Sequence, residues 1–226
     1  MMIRLDFNGG AKQAARAIRV SRKPGRDVAF VADAGPHLPF RDSSVDELFV
    51  GRTIAHRSDI AETLDEMWRV AKPGALIHLT LPHASSAIAV SRDPWPRPLL
   101  TLNTFNYYDQ SSSDARRSNA PSRSSLNGTS ERTAFTIERA RLRVAGARAD
   151  DTGLALARGP LTQFIEKLAN GSRGSQYRFE RWFANLFGGF EEFDIVLGVR
   201  KTIERRATPA ASANGAAASN AGVYNR

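Results

Sequence analysis

Apolar runs separated by polar turns predict a strand–helix–strand unit in the first third of the chain. Val45–Val50 is a short, largely apolar run after a polar turn, a pattern typical of a buried strand. Residues 59–71 carry apolar side chains at helical spacing and begin with an aspartate and a glutamate three residues apart, which form a capping pair. The Lys-Pro-Gly turn at residues 72–74 then ends the helix, and the apolar positions of residues 76–81 predict a second buried strand. A strand, a helix and a parallel strand form the repeating unit of an open α/β sheet.

The same kind of pattern predicts further strands and one more helix. Additional strands are expected at residues 3–7, 17–20, 28–32 and 134–144. Residues 179–187 place large apolar side chains at positions i, i+3, i+4, i+7 and i+8, which predicts an amphipathic helix. Apolar residues alternate strictly through residues 193–199 and predict a last strand. Because one face of that strand is polar, we expect it to be antiparallel and to lie at the edge of the sheet.

These elements predict a single α/β domain over residues 2–205, with a mostly parallel sheet. Two segments have too few large apolar residues to join its core. Residues 110–133 are rich in Ser, Arg and Asn, and residues 206–226 are rich in Ala, Ser and Asn. Neither segment can bury enough surface to offset the entropy lost on ordering, so we expect a mobile loop and a disordered tail.

Composition narrows the classes of function. Of the 226 residues 42% are hydrophobic, enough for a core, and none is cysteine, which excludes disulfides and thiolate metal sites. No apolar stretch reaches the roughly 20 residues that a membrane-spanning helix needs, and the N-terminus lacks the apolar core of a signal peptide. These features predict a cytoplasmic protein. The formal net charge of +9 favours anionic partners, which include nucleic acid, acidic glycans and anionic membrane surfaces.

The most specific motifs lie in residues 38–83. This block reads L-P-F-R-D-S-S-V-D-E-L-F-V-G-R-T-I-A-H, then a helix, then R-V-A-K-P-G-A-L-I-H-L-T-L-P-H. It resembles the middle of a class I S-adenosylmethionine-dependent methyltransferase. The resemblance implies a Rossmann-like methyltransferase fold, with a mostly parallel seven-stranded sheet and an antiparallel last strand. It also implies S-adenosylmethionine as the cofactor, bound over the carboxyl ends of the parallel strands.

The resemblance places the first two cofactor-binding motifs at Asn8, Gly9, Gly10 and Ser21. The family ends its first strand in Gly-x-Gly, because a side chain there would occupy the space of the cofactor's amino-acid moiety. Asn8 stands at the leading glycine, and asparagine tolerates a positive φ better than most residues. Ser21 stands where the family has an acidic residue that hydrogen-bonds the ribose hydroxyls, and it can make one such bond. Asn-Gly-Gly is also a common turn sequence in its own right.

Asp33, Ala34 and His56 complete the predicted site. Asp33 and Ala34 precede the L-P-F signature, and by resemblance they contact the adenine edge. His56 matches the second residue of a Glu-His pair that relatives carry after the fourth strand, and Ala55 replaces the glutamate. The resemblance implies that His56 borders the methyl-transfer pocket or acts as a base. An aspartate before a loop and a histidine at a strand–helix junction also occur as structural residues, and that alternative stays open.

The likeness continues into the C-terminal half. Residues 93–105 have the framing of a segment in methyltransferases associated with polysaccharide synthesis, with Pro96 in place of their histidine. The chain also follows that subfamily at Leu161, Leu168, Tyr177, Glu180-Arg181-Trp182 and the final strand through Lys201. The resemblance thus covers about residues 3–201 and implies a small-molecule or glycan-linked acceptor.

Three functions compete on this basis. The first is methyl transfer to such an acceptor, without a metal, because the four histidines show no ligand spacing. The second is a non-catalytic methyltransferase-like protein that binds or regulates a protein partner, which the departures at Asn8, Ser21 and Pro96 favour. The third is nucleic-acid binding, which rests on the net charge and on the arginines of residues 110–133. No aromatic residues interleave with those arginines, so nucleic-acid binding is the least favoured of the three.

Overall fold

The structure is a computed structural model. It describes residues 2–7, 16–21, 23–26, 28–32, 37–51, 54–55, 59–86, 98–109, 133–144, 159–186 and 189–201. Residues 110–132 and 206–226, which the sequence predicts to be mobile, lie outside this set. Thr133, the last residue of the predicted loop, is described and is buried next to a strand.

The described residues form seven strands and four helices. The strands are β1 (Arg4–Asp6), β2 (Ile18–Ser21), β3 (Phe30–Val31), β4 (Val45–Val50), β5 (Ala71–Pro82), β6 (Ala134–Arg143) and β7 (Glu192–Arg200). The helices are α1 (Ile60–Val70), α2 (Leu102–Asn106), α3 (Pro160–Ala169) and α4 (Arg173–Leu186).

The strands form one sheet in the order β3-β2-β1-β4-β5-β7-β6. β1 to β5 pair in parallel, and β7 runs antiparallel to both of its neighbours. The predicted α/β fold, a mostly parallel seven-stranded sheet with an antiparallel last strand, is therefore confirmed. The expected position of the last strand is wrong, because β7 lies inside the sheet and β6 forms the edge. The polar residues of β7 belong to a polar face of the sheet: Asp194 accepts hydrogen bonds from Thr80 on β5 and Arg143 on β6.

The strand–helix–strand unit matches its prediction except at one junction. The side chain of Asp59 accepts a hydrogen bond of 2.9 Å from the amide of Glu62, which confirms the predicted N-terminal cap of α1. The helix ends at Val70, and β5 begins at the next residue rather than at the predicted residue 76. Gly74 adopts a φ of +77°, and the pairing register between β4 and β5 shifts there. Residues 72–74 are thus an irregularity within the start of β5, which a glycine accommodates without strain.

The main cluster of buried apolar residues in the described part of the chain lies on one face of the sheet. Alternate residues of β5 and β7 point into it and are almost completely buried, namely Ile77, Leu79, Leu81, Phe193, Ile195 and Leu197. The residues between them, among them Thr80 and Asp194, are only half-buried. Two further phenylalanines, Phe105 of α2 and Phe190 before β7, extend the same apolar cluster toward the helices. This alternation follows from the period of two along a strand.

The exposed edge of β6 is hydrogen-bonded by side chains from the α3–α4 region. The amide group of Asn170 accepts from Leu142 N–H at 2.8 Å and donates to the Leu142 carbonyl at 2.8 Å. Gln176 donates to the carbonyl of Ala140 at 2.8 Å. An edge strand without such partners offers its backbone to other chains. The two amide side chains therefore supply hydrogen bonds that an eighth strand would otherwise make to β6.

Two charged side chains complete this edge. Arg173 donates to the carbonyl of Ile137 at 2.8 Å, and it also pairs with the buried carboxylate of Asp109 at 3.1 Å. Glu166 accepts from the amide of Val144 at 3.1 Å, just beyond the end of β6. The position of the α3–α4 hairpin is thus set by polar contacts with backbone groups, in addition to apolar packing.

We expect Asn170→Ala to lower the free energy of unfolding by about 2–3 kcal/mol, because it leaves the N–H and the carbonyl of Leu142 without partners. Urea denaturation of the variant and the parent measures this. Asn103→Ala is the control: the Asn103 side chain is exposed and accepts one hydrogen bond from Asn106 among the described residues, so its loss should change stability by less than about 0.5 kcal/mol. Equal stability of the two variants would show that the edge contacts contribute nothing.

Candidate cofactor and acceptor site

The carboxyl ends of β1 to β5 meet at one edge of the sheet, because these strands are parallel. The amide of Phe7 donates to the carbonyl of Phe49 at 2.8 Å, and the amide of Ala32 donates to that of Ser21 at 3.0 Å. These bonds extend the sheet just past the strand ends. The strand order reverses between β1 and β4, since β2 and β3 follow β1 on one side while β5 follows β4 on the other. Ligands of open α/β sheets bind in the crevice at such a switch point.

Among the predicted site residues, Ser21 is the one that the structure describes. Asn8, Gly9, Gly10, Asp33, Ala34 and His56 lie outside the described residues, and their roles remain predictions. The residues that precede them along the chain are described: Phe7 after β1, Ala32 after β3, and Ala55, which is buried after β4. These neighbours follow strands that end at the same sheet edge, as the prediction requires.

Ser21 is the last residue of β2 and offers a hydroxyl at this edge. Its Oγ accepts a hydrogen bond of 3.3 Å from the amide of Lys23, which closes a tight local turn. A serine hydroxyl that accepts one hydrogen bond can also donate its proton to another oxygen. A carboxylate at this position would instead present two accepting oxygens to a pair of hydroxyls, in charge-assisted hydrogen bonds. The contact of Ser21 with a ribose stays a prediction, and a serine there would bind more weakly than the acidic residue of the resembling family.

The L-P-F segment is held in place by two side chains of α1. The amide of Leu38 donates to Glu66 Oε1 at 2.6 Å. Arg69 Nη2 donates to the carbonyls of Leu38 at 3.2 Å and Phe40 at 3.0 Å. Sequence reasoning recognised the L-P-F signature and missed these two residues, which look like the exposed face of a helix. Their spacing of three residues, with opposite charges, was the available signal.

Glu66 and Arg69 form a partly buried ion pair that also engages the exposed Asp42. Arg69 donates to both oxygens of Glu66 at 2.7 Å and to the carboxylate of Asp42. Burial raises the pKa of Glu66, but hydrogen bonds from Arg69 and from the amide of Leu38 outweigh it, so this pKa lies below its ordinary value. Hydrogen bonds to Glu66 and Asp42 raise the pKa of Arg69. The pair is therefore charged at neutral pH and fixes the loop between β3 and β4.

A buried histidine at the end of β5 is the second feature that sequence reasoning missed. His83 Nε2 lies 3.0 Å from Glu180 Oε1, and both side chains are at least nine-tenths buried. The amide of Ser85 donates to His83 Nδ1 at 3.1 Å. Nδ1 is thus an acceptor, which assigns the proton of a neutral imidazole to Nε2, where it donates to Glu180. The position of His83 directly after a buried strand was the signal in the sequence.

Glu180 joins three parts of the fold beside the strand ends. Its Oε1 accepts from His83 and also from the amide of Leu102, the first residue of α2, at 2.7 Å. The carboxylate thereby ties α4 to β5 and to the N-terminus of α2, where negative charge is favoured. Both nitrogens of His83 are engaged in these contacts, so the pair acts as a structural clamp and leaves no nitrogen for a ligand.

In the part of the chain that the structure describes, no group of three or more His, Cys, Asp or Glu side chains could hold a metal ion. Across that same part, no helix combines the length and the apolar character that crossing a membrane requires.

The N-terminal third is similar to known methyltransferases. Residues 2–79 match the model of a family described as a methyltransferase domain. Demethylmenaquinone methyltransferases from Roseiflexus sp. (strain RS-1) and Roseiflexus castenholzii are 44% identical over 86 residues and 42% identical over 87 residues. Each alignment covers 38% of this chain and 32% of the relative. The chain thus spans about a third of the length of these relatives.

Solved structures align over more of the chain at lower identity. The YcgJ protein from Bacillus subtilis has a TM-score of 0.49 and 17% identity, over 89% of this chain and 93% of its own. A SAM-dependent methyltransferase from Archaeoglobus fulgidus has a TM-score of 0.48 and 13% identity, over 87% and 86%. A chain in the complex of the Haloferax volcanii Trm112 methyltransferase activator with a methyltransferase has a TM-score of 0.49 and 15% identity, over 89% and 83%. None of these alignments bears on the acceptor of this chain.

We expect Glu66→Gln to lower the free energy of unfolding by about 2 kcal/mol at neutral pH, because it removes a charged acceptor from Arg69 and Leu38. The folded-state pKa of Glu66 lies below its ordinary value of 4.5. Its contribution is therefore complete above pH 4.5 and is lost as the pH falls through the lower folded-state value. Urea denaturation across this range should show the parent and the variant converging in acid.

Glu62→Gln, an exposed substitution on the same helix, is the control for that experiment. It should change stability by less than about 0.5 kcal/mol at any pH. A difference between Glu66→Gln and the parent that stays constant down to the most acidic pH would contradict the ionised pair.

Proposed function

We propose that this chain binds S-adenosylmethionine and transfers its methyl group to a small-molecule or glycan-linked acceptor. The observation that carries the proposal is the match of residues 2–79 to a methyltransferase domain. Those residues form β1 to β4, α1 and most of β5, which include the crevice where the strand order reverses. The match and the site geometry therefore concern the same part of the molecule.

Ser21 and its predicted neighbours would hold the cofactor. When bound, the cofactor supplies a methyl group that its positively charged sulfur activates for transfer. The backbone of residues 8–10 would approach the amino-acid moiety, and the Ser21 hydroxyl would donate to a ribose oxygen. Asp33 and Ala34 would contact the adenine edge, directly before the L-P-F segment that Glu66 and Arg69 hold. A fixed loop costs little entropy on binding.

His56 is the proposed base. It follows the buried Ala55, five residues beyond the end of β4 in the chain, and it would accept a proton from the acceptor oxygen or nitrogen as that atom attacks the methyl group. The remaining contribution of the protein is to align the acceptor with the methyl group. His83 is not proposed for this role, because both of its nitrogens are engaged in buried hydrogen bonds.

The chemical class of the acceptor is the least determined part of the proposal. The Roseiflexus relatives act on demethylmenaquinone, which is a small molecule, but the alignments cover less than two fifths of this chain. The resemblance of residues 93–105 to methyltransferases associated with polysaccharide synthesis favours a glycan-linked acceptor. Transfer of a labelled methyl group to demethylmenaquinone and to a nucleotide sugar, measured side by side, separates the two.

A non-catalytic, methyltransferase-like binding or regulatory protein is the second candidate function. The departures at Asn8, Ser21 and Pro96 favour it, since each alters a position with a role in the resembling families. Such a protein would act through a protein partner. Cofactor binding without methyl transfer to any acceptor tested would support this candidate over the first.

We expect the double variant Asn8→Gly with Ser21→Asp to bind S-adenosylmethionine more tightly than the parent. The glycine opens the first turn, and the aspartate adds a charge-assisted hydrogen bond, worth roughly tenfold to a hundredfold in affinity. Calorimetric titration measures this. Ser172→Asp is the matched control, because it adds the same charge at an exposed position between α3 and α4, near the opposite edge of the sheet. If the double variant is folded and shows no binding at millimolar cofactor, the cofactor site is not at these residues.

We expect His56→Ala to lower kcat by about a hundredfold or more while leaving cofactor affinity unchanged, because it removes a base and no cofactor contact. Methyl-transfer kinetics with the acceptor identified above, together with calorimetric titration, measure the two quantities. The parent should lose activity on the acidic side of its pH profile, and the variant should lack that limb. An unchanged kcat would exclude His56 as the base.

A further inference from the structure

Helix α3 exposes three large apolar side chains, while its buried side contains two polar residues beside Ala169. Its inner positions include Thr162 and Glu166, which are 5% and 3% exposed, and Glu166 accepts from the backbone of Val144 at the edge of the sheet. Its outer positions carry Leu161 at 69%, Phe164 at 59% and Leu168 at 47% exposure. A surface helix ordinarily has the reverse arrangement. The hydrogen-bonding needs of strand β6 explain the polar inner face, but they do not explain the apolar outer face.

The three exposed residues form one continuous stripe. Leu161, Phe164 and Leu168 are spaced by three and four residues, so they lie on one side of the helix. We call this side the apolar stripe. None of the three belongs to the buried core of the described residues or packs against it, so these side chains contribute little to the stability of the fold. An apolar patch that the fold does not use marks an interaction surface.

A cationic cleft borders the stripe. It has a volume of about 660 Å³ and lies between β6 and α3, lined by Arg139, Ala140, Arg141, Gln163, Glu166, Lys167 and Asn170. Arg141 lies 3.6 Å from Glu166, whose other oxygen already accepts from Val144. Among the residues that the structure describes, Arg139 and Lys167 make no ion pair. The cleft therefore keeps a net positive charge.

Lys167 belongs to both surfaces. It lines the cleft, and on the helix it lies next to Leu168 and three residues after Phe164. Gln163, four residues before Lys167, also lines the cleft and is adjacent to Phe164 in the helix. The cleft and the stripe thus form one composite surface, with cations on one side and exposed apolar side chains on the other.

We propose that this composite surface docks the protein on an anionic lipid bilayer, with lipid phosphates in the cationic cleft and the apolar stripe at the boundary of the acyl chains. Such a bilayer offers both complements at once, anionic headgroups and apolar chains, to a helix lying in its interface. The proposal is independent of methyl transfer: β6 is separated from β4 by β5 and β7, which leaves the predicted cofactor crevice away from the docked edge.

Charge and chemistry favour this occupant over the others. A second copy would bring like charges together if the same surfaces faced each other, on a chain whose formal net charge is +9. A nucleic acid would satisfy the cleft through its phosphates, but its backbone offers no apolar surface to Leu161 and Leu168. A lipid bilayer complements both the cationic cleft and the apolar stripe.

The test is co-sedimentation of the full chain with vesicles. One vesicle contains equal parts of phosphatidylglycerol and phosphatidylcholine, and the other contains phosphatidylcholine alone. The stripe variant combines Leu161→Gln, Phe164→Gln and Leu168→Gln. The cleft variant combines Arg139→Gln, Arg141→Gln and Lys167→Gln. The charge control combines Lys23→Gln, Arg26→Gln and Arg41→Gln, which are exposed cations outside the cleft, and circular dichroism confirms that each variant is folded.

The parent should bind the anionic vesicles and leave the neutral ones unbound. Each cation near an anionic surface contributes about fivefold to binding, so the cleft variant should bind roughly a hundredfold more weakly while the charge control stays close to the parent. The stripe variant should lose at least about tenfold, through the apolar area that no longer inserts. Inorganic phosphate added at the same total negative charge as the vesicles should leave the protein bound to them. Release by free phosphate would show that the protein recognises phosphate rather than the bilayer.

Three further outcomes would overturn the proposal. Equal losses of vesicle binding in the cleft variant and the charge control would show that binding depends on net charge alone. Dimerisation that the stripe variant abolishes, without vesicle binding by the parent, would assign the stripe to a second copy. Binding of a single-stranded oligonucleotide that only the cleft variant loses, without vesicle binding by the parent, would assign the cleft to nucleic acid.

Discussion

The backbone of an edge strand must find hydrogen-bond partners, and the arrangement of the C-terminal half depends on this constraint. β6 is the last strand of the sheet, and side chains of the α3–α4 hairpin bond its outward-facing groups. To reach them, α3 turns polar residues such as Glu166 inward. Leu161, Phe164 and Leu168 lie on the other side of the same helix and face outward. The requirement thus accounts for the protected edge and the polar inner face of α3, whereas the apolar stripe is a separate feature of the same helix.

Two buried carboxylates organise the surroundings of the candidate site in a similar way. Glu66 joins α1 to the L-P-F segment, and Glu180 joins α4 to the end of β5 and the start of α2. Each is paired with a positively charged or hydrogen-donating side chain, Arg69 or His83, and each accepts a backbone amide. Removing one member of such a pair leaves a buried group unsatisfied. The segments around the crevice are therefore held by helices, while the predicted ligand contacts other than Ser21 lie outside the described residues.

The strands and the sheet type could be predicted because they follow from local patterns. Val45–Val50 is the observed fourth strand, and Asp59 caps the observed helix, since burial and capping depend on residues close together in the chain. The start of β5 was predicted five residues too late, because Lys-Pro-Gly is a typical signal for a break between elements. In the structure Gly74 accommodates an irregular strand there. The last strand was predicted at the edge, because a polar face usually indicates exposure to solvent. In the structure the polar residue Asp194 instead accepts hydrogen bonds from Thr80 and Arg143 within the sheet. Pairing partners 50 or more residues apart leave no local trace.

What the sequence determined by itself was the order of the elements and the methyltransferase-like block around L-P-F, and it predicted the positions of the cofactor contacts. These are local properties: a hydrophobic period, a cap and a motif are each contained in a few neighbouring residues. Only the tertiary structure decided which strand lies at the edge, that Glu66 and Arg69 hold the L-P-F segment, and that His83 meets Glu180 across 97 positions of the chain. It also decided that the leucines of α3 face solvent, because a helical period shows that a helix has two faces, whereas the neighbouring elements determine which face is buried.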